Sequence, residues 1–275
     1  MKEYYLKEEI YYRKNEFREN RLTLVFIHGL SGSSSAWLPY EKIFENKYNV
    51  ITYDIRGHGK SKKFPNYSDY EIKNFAGDLY DLVSHLSISK FILISHSFAS
   101  LPAAEYIKLH PENVLVVVFL SPIFDLEKSF LSKISRPILK LSKILGLFPF
   151  NSKPRGQIDY AKYRNTTDWS IRRNYADVKN TTLRVYLHSL KQSLKVNQEY
   201  LLEKIKVPTL IIHGARDTMA PVANSITLSK KIKNSQLMII PDIDHIVVLN
   251  KVKEVSDAIE SFIEKHKGSF PKTIN

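Results

Sequence analysis

The chain has 275 residues, 43% of them hydrophobic and 12% aromatic, and carries a formal net charge of +13. That supplies enough apolar material for one large domain, or for a domain with an insertion. Cysteine is absent, which excludes a disulfide framework and thiol chemistry and fits a reducing compartment.

The amino-terminal stretch Met1–Glu9 is charged and has no apolar core of signal-peptide length. No apolar run approaches the length that spans a bilayer, so a cytoplasmic protein without a transmembrane segment is expected. Residues 3–14 alternate as in a short antiparallel hairpin. Strands and helices then alternate. The strand at 22–27 leads to a helix around 35–45, and the strand at 50–53 to a helix around 69–86. The strand at 91–95 leads to a helix at 97–109, with a further strand at 114–120. This rhythm predicts βαβ units and a mainly parallel sheet. The unbroken apolar run Val114–Leu120 is the pattern of a strand buried on both faces.

After Ser121-Pro122 the strand rhythm stops until Pro208. Leu131, Ile134, Ile138, Leu141 and Leu145 recur at steps of three and four, the spacing of one helix face. Pro149, Pro154 and Gly156 separate that stretch from helices near 157–165, 168–178 and 181–196. The sheet resumes with strands at 209–213 and 236–240, a helix around 221–231 between them and a closing helix at 247–267. The organisation expected is therefore a core of residues 1–124 and 207–275, with residues 125–206 inserted as a helical cap. From Asp125 to Lys206 there are 17 Lys and Arg against 7 Asp and Glu, so most of the positive charge sits in the insertion. A field of that sign suits anionic or carrier-bound substrates or an anionic membrane surface, and equally a solvated lysine-rich face.

Five local patterns carry chemistry. Phe91–Ser95 ends in Ser95-His96-Ser97-Phe98-Ala99, where a strand turns into a helix with small residues two positions either side of a serine. That is the layout of a nucleophile elbow, with serine and alanine where glycines usually stand. Thr209–Gly214 runs into a loop carrying Asp217, and Leu237–Ile240 into a loop carrying His245. Upstream lie the strand and loop Leu22–Leu30 and the loop Asp54-Ile55-Arg56-Gly57-His58-Gly59-Lys60-Ser61. The order Ser97, Asp217, His245, each just past the carboxyl end of a strand, resembles that of the α/β-hydrolases. Loop 54–61 is similar to that superfamily's D-x-R-G-x-G-x-S segment, and loop 28–30 to its oxyanion loop. The resemblance extends over most of the chain and implies a mainly parallel eight-stranded sheet flanked by helices, with an inserted α-helical cap.

On that resemblance Ser97 is the nucleophile, His245 its general base and Asp217 the acid that orients the imidazole. The backbone N–H groups of Leu30 and Phe98 form the oxyanion hole. Serine rather than aspartate at the elbow implies acyl transfer. Carboxylic esters come first, with thioesters, lactones and activated carbon–carbon bonds as alternatives, and a non-catalytic ligand-binding member beside them. Asp125, Asp242 and Asp244 are rival acids. His28, His58, His96 and His213 are expected to be structural. Leu147, Phe148, Phe150, Tyr160, Tyr163, Trp169 and Tyr186 either line an acyl pocket or form the cap's own core. No Cys/His cluster, H-E-x-x-H or phosphate loop occurs, so neither metal nor cofactor is expected. The partner expected is a small-molecule acyl substrate. A nucleic-acid partner rests on charge alone, and oligomeric state is open.

Overall fold

A computed structural model describes residues 1–124, 145, 150–195 and 202–271. Its β-branched and aromatic runs pair into one sheet of eight strands. These are β1 (Lys2–Leu6), β2 (Ile10–Lys14), β3 (Thr23–Ile27), β4 (Asn49–Tyr53), β5 (Phe91–His96), β6 (Val114–Leu120), β7 (Thr209–Gly214) and β8 (Ser235–Ile240). The spatial order is β1-β2-β4-β3-β5-β6-β7-β8. The pairs β1–β2 and β2–β4 are antiparallel, and every other pair is parallel. Because β4 lies on one side of β3 and β5 on the other, the winding reverses at β3. An open α/β sheet leaves its binding crevice at such a reversal, beyond the carboxyl ends of the strands.

The helices are α1 (Leu38–Phe44), α2 (Ile72–His85), α3 (Ser100–Leu109), α4 (Ile171–Thr181), α5 (Leu183–Ser193), α6 (Val222–Lys231), α7 (Val247–Asn250) and α8 (Val252–His266). Successive strand residues point to opposite faces of the sheet, and both faces are covered. Val25, Ile27, Leu93, Val117 and Phe119 pack with Phe75 and Leu79 of α2, Leu101 of α3 and Leu228 of α6. The alternate set, Leu24, Phe26, Ile92, Ile94, Val116 and Val118, packs with Tyr40 and Phe44 of α1 and Ile259 and Phe262 of α8. Each such side chain, fully buried, contributes roughly 1.5–3 kcal/mol of transfer free energy. The sheet is thus packed on both faces, and the loops at its carboxyl edge emerge from that packed layer.

Helices α4 and α5 lie between β6 and β7 in the chain. The Ser170 side chain accepts the Arg173 N–H at the start of α4, and Thr182 does the same for Val185 at the start of α5. The expected helix through Leu131, Ile134, Ile138 and Leu141 falls outside the described residues, as do Asp125, Leu147 and Phe148. The closing helix expected at 247–267 is divided at Lys251 into α7 and α8. Asn250, at the division, accepts the Asn165 N–H at 2.8 Å and donates to the Thr166 carbonyl at 2.9 Å. Among the described residues no helix is long and apolar enough to cross a membrane.

Candidate active site

Ser97 follows β5 directly with φ at 54°, a left-handed conformation that costs a non-glycine residue on the order of 1–3 kcal/mol. The sharp bend is sterically possible because Ser95 and Ala99 are small, and both are wholly buried. It is fixed from behind, where the Ser100 hydroxyl donates to the Ser97 carbonyl at 2.7 Å and accepts the Ile123 N–H at 3.1 Å. The loop after β3 passes close by. A Cβ on Gly29 would stand 2.9 Å from His96 Nδ1 and 3.2 Å from Ser97 Cβ, so only glycine fits there.

Three side chains far apart in sequence meet at this edge. The Ser97 hydroxyl donates to His245 Nε2 at 2.7 Å, and His245 Nδ1–H donates to Asp217 Oδ2 at 2.7 Å. A carboxylate only accepts, so the imidazole proton sits on Nδ1 and Nε2 is left as the acceptor for the serine. All three residues are buried. Asp217 Oδ1 also accepts the amides of Met219 and Ala220, at 2.9 and 2.7 Å. Burial alone would raise its pKa, but the charge of His245 and hydrogen bonds from His213 and His245 hold it well below the usual carboxylate range. Burial depresses the His245 pKa, yet the charge and hydrogen bond of Asp217, with the charge of Asp168, overcome that and raise it.

Two further residues brace Asp217 and His245: His213, which the sequence marked only as structural, and Asp168, which it did not mark at all. His213, four positions before Asp217, places Nε2 3.0 Å from Asp217 Oδ2 and 2.8 Å from the Ala220 carbonyl, so the one N–H of that nitrogen is shared between the two acceptors. The H-x-x-x-D spacing was a usable signal for it. Asp168 had none, because it acts only across the fold. Its Oδ1 accepts the His245 N–H at 2.8 Å, while Oδ2 accepts the Thr218 N–H at 3.1 Å and hydroxyl at 2.9 Å. One buried carboxylate therefore ties the loop after β8 to the loop after β7. Arg173 and Asn174 in turn donate to the Asp168 carbonyl at 2.8 and 3.0 Å.

The remaining candidates are held elsewhere. His28 accepts the Ile55 N–H on Nε2 and donates from Nδ1 to the Gly29 carbonyl at 2.8 Å, bracing the loop after β3. His96 donates from Nε2 to the His245 carbonyl at 3.1 Å, and burial, with the nearby His245, lowers its pKa to about 3. His58 donates to the Arg56 carbonyl at 2.9 Å, within loop 54–61. Asp54 in that loop accepts the amides of Ser34 and Lys60, at 2.6 and 2.7 Å. Asp242 pairs with Arg216 at the surface, and Asp244 accepts the amides of Asp168 and Ile246, so neither reaches His245 Nδ1 in place of Asp217.

Ser97 and His245 open into a cavity of about 290 Å³. Leu30 and Phe98 line it, as do Trp37, Met219, Val248 and Leu249 from the core and Tyr160, Trp169, Arg173, Val178, Tyr186 and Leu190 from between β6 and β7. Of the aromatic residues weighed for an acyl pocket, Tyr160, Trp169 and Tyr186 are in its wall. Tyr163 packs on Tyr160, and Phe150 lies against the Arg184 guanidinium.

Comparison with known proteins places these features in a wider group. The profile of the family described as alpha/beta hydrolase fold matches residues 23–252. A pimeloyl-[acyl-carrier protein] methyl ester esterase of Wigglesworthia glossinidia brevipalpis is 27% identical over 259 residues, covering 89% of this chain and 94% of its own. A non-heme haloperoxidase of Rhodococcus erythropolis is 25% identical over 268 residues, covering 88% and 92%. Among solved structures, a hydrolase from Oleispira antarctica superposes with a TM-score of 0.76 at 19% identity, over 92% of this chain and 94% of that one.

Proposed function

The chain belongs to the alpha/beta hydrolase fold family, and within it we propose a serine hydrolase that cleaves a small or medium carboxylic ester through an acyl-enzyme. The observation that carries this reading is the pair of 2.7 Å hydrogen bonds running from the Ser97 hydroxyl through His245 to Asp217. In the first half-reaction Ser97 Oγ attacks the ester carbonyl carbon as His245 Nε2 takes its proton. Asp217 stabilises the imidazolium so formed. The tetrahedral oxyanion is received by the backbone N–H groups of Leu30 and Phe98, each contributing about 3 kcal/mol to the transition state. Collapse breaks the bond to the alkoxy group, which leaves with the proton returned by His245. Water then repeats the sequence, giving up its proton to His245 as it releases the acid and restoring Ser97.

Residues 125–206 serve as a cap over a core of residues 1–124 and 207–275. Supporting this are the pocket-facing residues of α4 and α5 and the hold of Asp168 on both loops. A cavity of about 290 Å³ has room for about ten water-sized groups, which suits a short or medium acyl chain. The relative named as a methyl ester esterase is in keeping with an ester substrate. The protein acts without a cofactor on this reading.

Ser97→Ala should abolish hydrolysis of a short p-nitrophenyl ester and labelling by a fluorophosphonate probe. Retained turnover in the variant would overturn the assignment. Failure of the folded wild-type protein to label would favour a ligand-binding member of the family instead. A series of acyl lengths should peak at roughly four to eight carbons and fall beyond. Matched oxygen esters, thioesters and lactones then rank the leaving groups.

A further inference from the structure

Helix α4 is two-faced, and only one face belongs to the pocket. Arg173, Asn174, Asp177 and Val178 line the cavity, whereas Ile171, Arg172, Tyr175 and Lys179 are exposed on the other side. Residues 171, 175 and 179 follow one another at the four-residue step that stacks side chains along a helix. Ile171 is 84% exposed and Tyr175 67%, with Trp169 at 47% and Leu183 at 40% immediately before and after the helix. Four of the ten large exposed apolar side chains among the described residues thus fall within fifteen positions. Singly scattered apolar residues call for no explanation, but a cluster does.

The charge of this stretch is mostly positive. Residues 150–195 contain ten Lys and Arg against three Asp. The three acids have work within the fold or locally: Asp168 holds the two loops, Asp177 accepts the Tyr160 hydroxyl at 2.8 Å, and Asp159 pairs with Lys162. Lys179 places its ammonium 5.8 Å from the centre of the Tyr175 ring. Apolar and aromatic side chains flanked by cations suit a helix lying in the headgroup region of a bilayer, with rings and aliphatic groups below and charges among the phosphates.

We infer that the outer face of α4 docks on an anionic lipid surface, with Ile171 and Tyr175 entering the interface and Arg172 and Lys179 meeting the phosphates. Trp169 lines the pocket and is half-exposed beside this face, so docking brings the cavity next to the lipid and favours substrates drawn from it.

Co-sedimentation with vesicles tests this on the intact protein. It should bind vesicles of phosphatidylcholine mixed with phosphatidylglycerol, bind phosphatidylcholine alone more weakly, and lose binding in high salt. Ile171→Ser with Tyr175→Ser should lower partitioning roughly tenfold by removing apolar insertion. Arg172→Glu with Lys179→Glu should lower it by about tenfold or more. Both double variants should keep wild-type rates on a soluble ester, which shows that they are folded. Equal binding to both vesicle types, or unchanged binding by either double variant, would overturn the inference. So would a concentration-dependent dimer dissolved by Ile171→Ser with Tyr175→Ser, which would assign the face to self-association. Binding is read without turnover, so failure of the hydrolase reading leaves this result standing.

Discussion

Asp168→Asn isolates the contribution of the segment between β6 and β7 to the chemistry. The substitution keeps shape and removes charge. Its single remaining acceptor oxygen can serve the His245 amide or the Thr218 amide, not both as in the wild type. With the oxygen toward His245, the new NH₂ faces the Thr218 N–H, donor against donor. A buried donor left unsatisfied costs about 1–3 kcal/mol. If that cost falls on the alignment of His245, kcat/KM drops roughly 10- to 100-fold, at 1.4 kcal/mol per decade.

The charge has a second effect with a definite sign. Asp217, Asp168, Arg173 and His96 are among the ionisable neighbours of His245. Burial pushes its pKa down, and Asp217 first and Asp168 next raise it above its ordinary value of 6.5. On the proposed mechanism His245 must be neutral to act as base, so activity should fall as pH drops through that raised pKa. Removing the charge at 168 should therefore move the acid limb of the kcat/KM profile to lower pH. The assay is p-nitrophenyl ester hydrolysis across pH, with thermal denaturation as the check on folding. A folded Asp168→Asn protein with wild-type rate and an unmoved acid limb would refute the reasoning.

Three further outcomes are expected. Asp217→Asn, which still fills the space behind the imidazole but favours the wrong tautomer, should lower kcat on the order of 10³- to 10⁴-fold with little change in KM. Gly59→Ala should lower the denaturation midpoint by several degrees, because its Cβ would stand 2.1 Å from Asp54 Oδ2 at a backbone φ of +50°, and positive φ adds strain; an unchanged midpoint would show that loop 54–61 yields freely. His213→Gln should reduce ester turnover by roughly tenfold while leaving fluorophosphonate labelling of Ser97 intact, since Asp217 keeps its two amide donors but loses one side-chain partner.

What the sequence made legible was what depends on local pattern. Val114–Leu120 reads as a buried strand and is one, and the strands at 91–95 and 209–213 each gain only one residue. The apolar runs are long, β-branched and closed by loops, so period and length agree. The family and its eight-stranded sheet were likewise readable from the ordered motifs. Helix ends were less so. The elbow helix begins as a 3₁₀ turn over Ser97–Ala99 before α3, since the left-handed residue at its head prevents regular α-helical bonding at once. Position 251 broke a helix whose apolar spacing runs on, because the bonds of Asn250 to Asn165 and Thr166 come from distant chain. Asp168 was invisible for the same reason. A residue that acts by joining two loops leaves no periodicity, and an acid in a basic insertion reads as solvated surface.

The left-handed backbone at Ser97 has a consequence for evolution. On the proposed mechanism, glycine there would relax the bend while erasing the nucleophile, so Ser97→Gly should yield a protein that is inactive and no less resistant to heat. The chain keeps a residue that suits its reaction over one that suits its own backbone. Lineages freed from selection on turnover should drift toward glycine at this position first, and such a change would mark descendants that have kept the architecture and abandoned the chemistry.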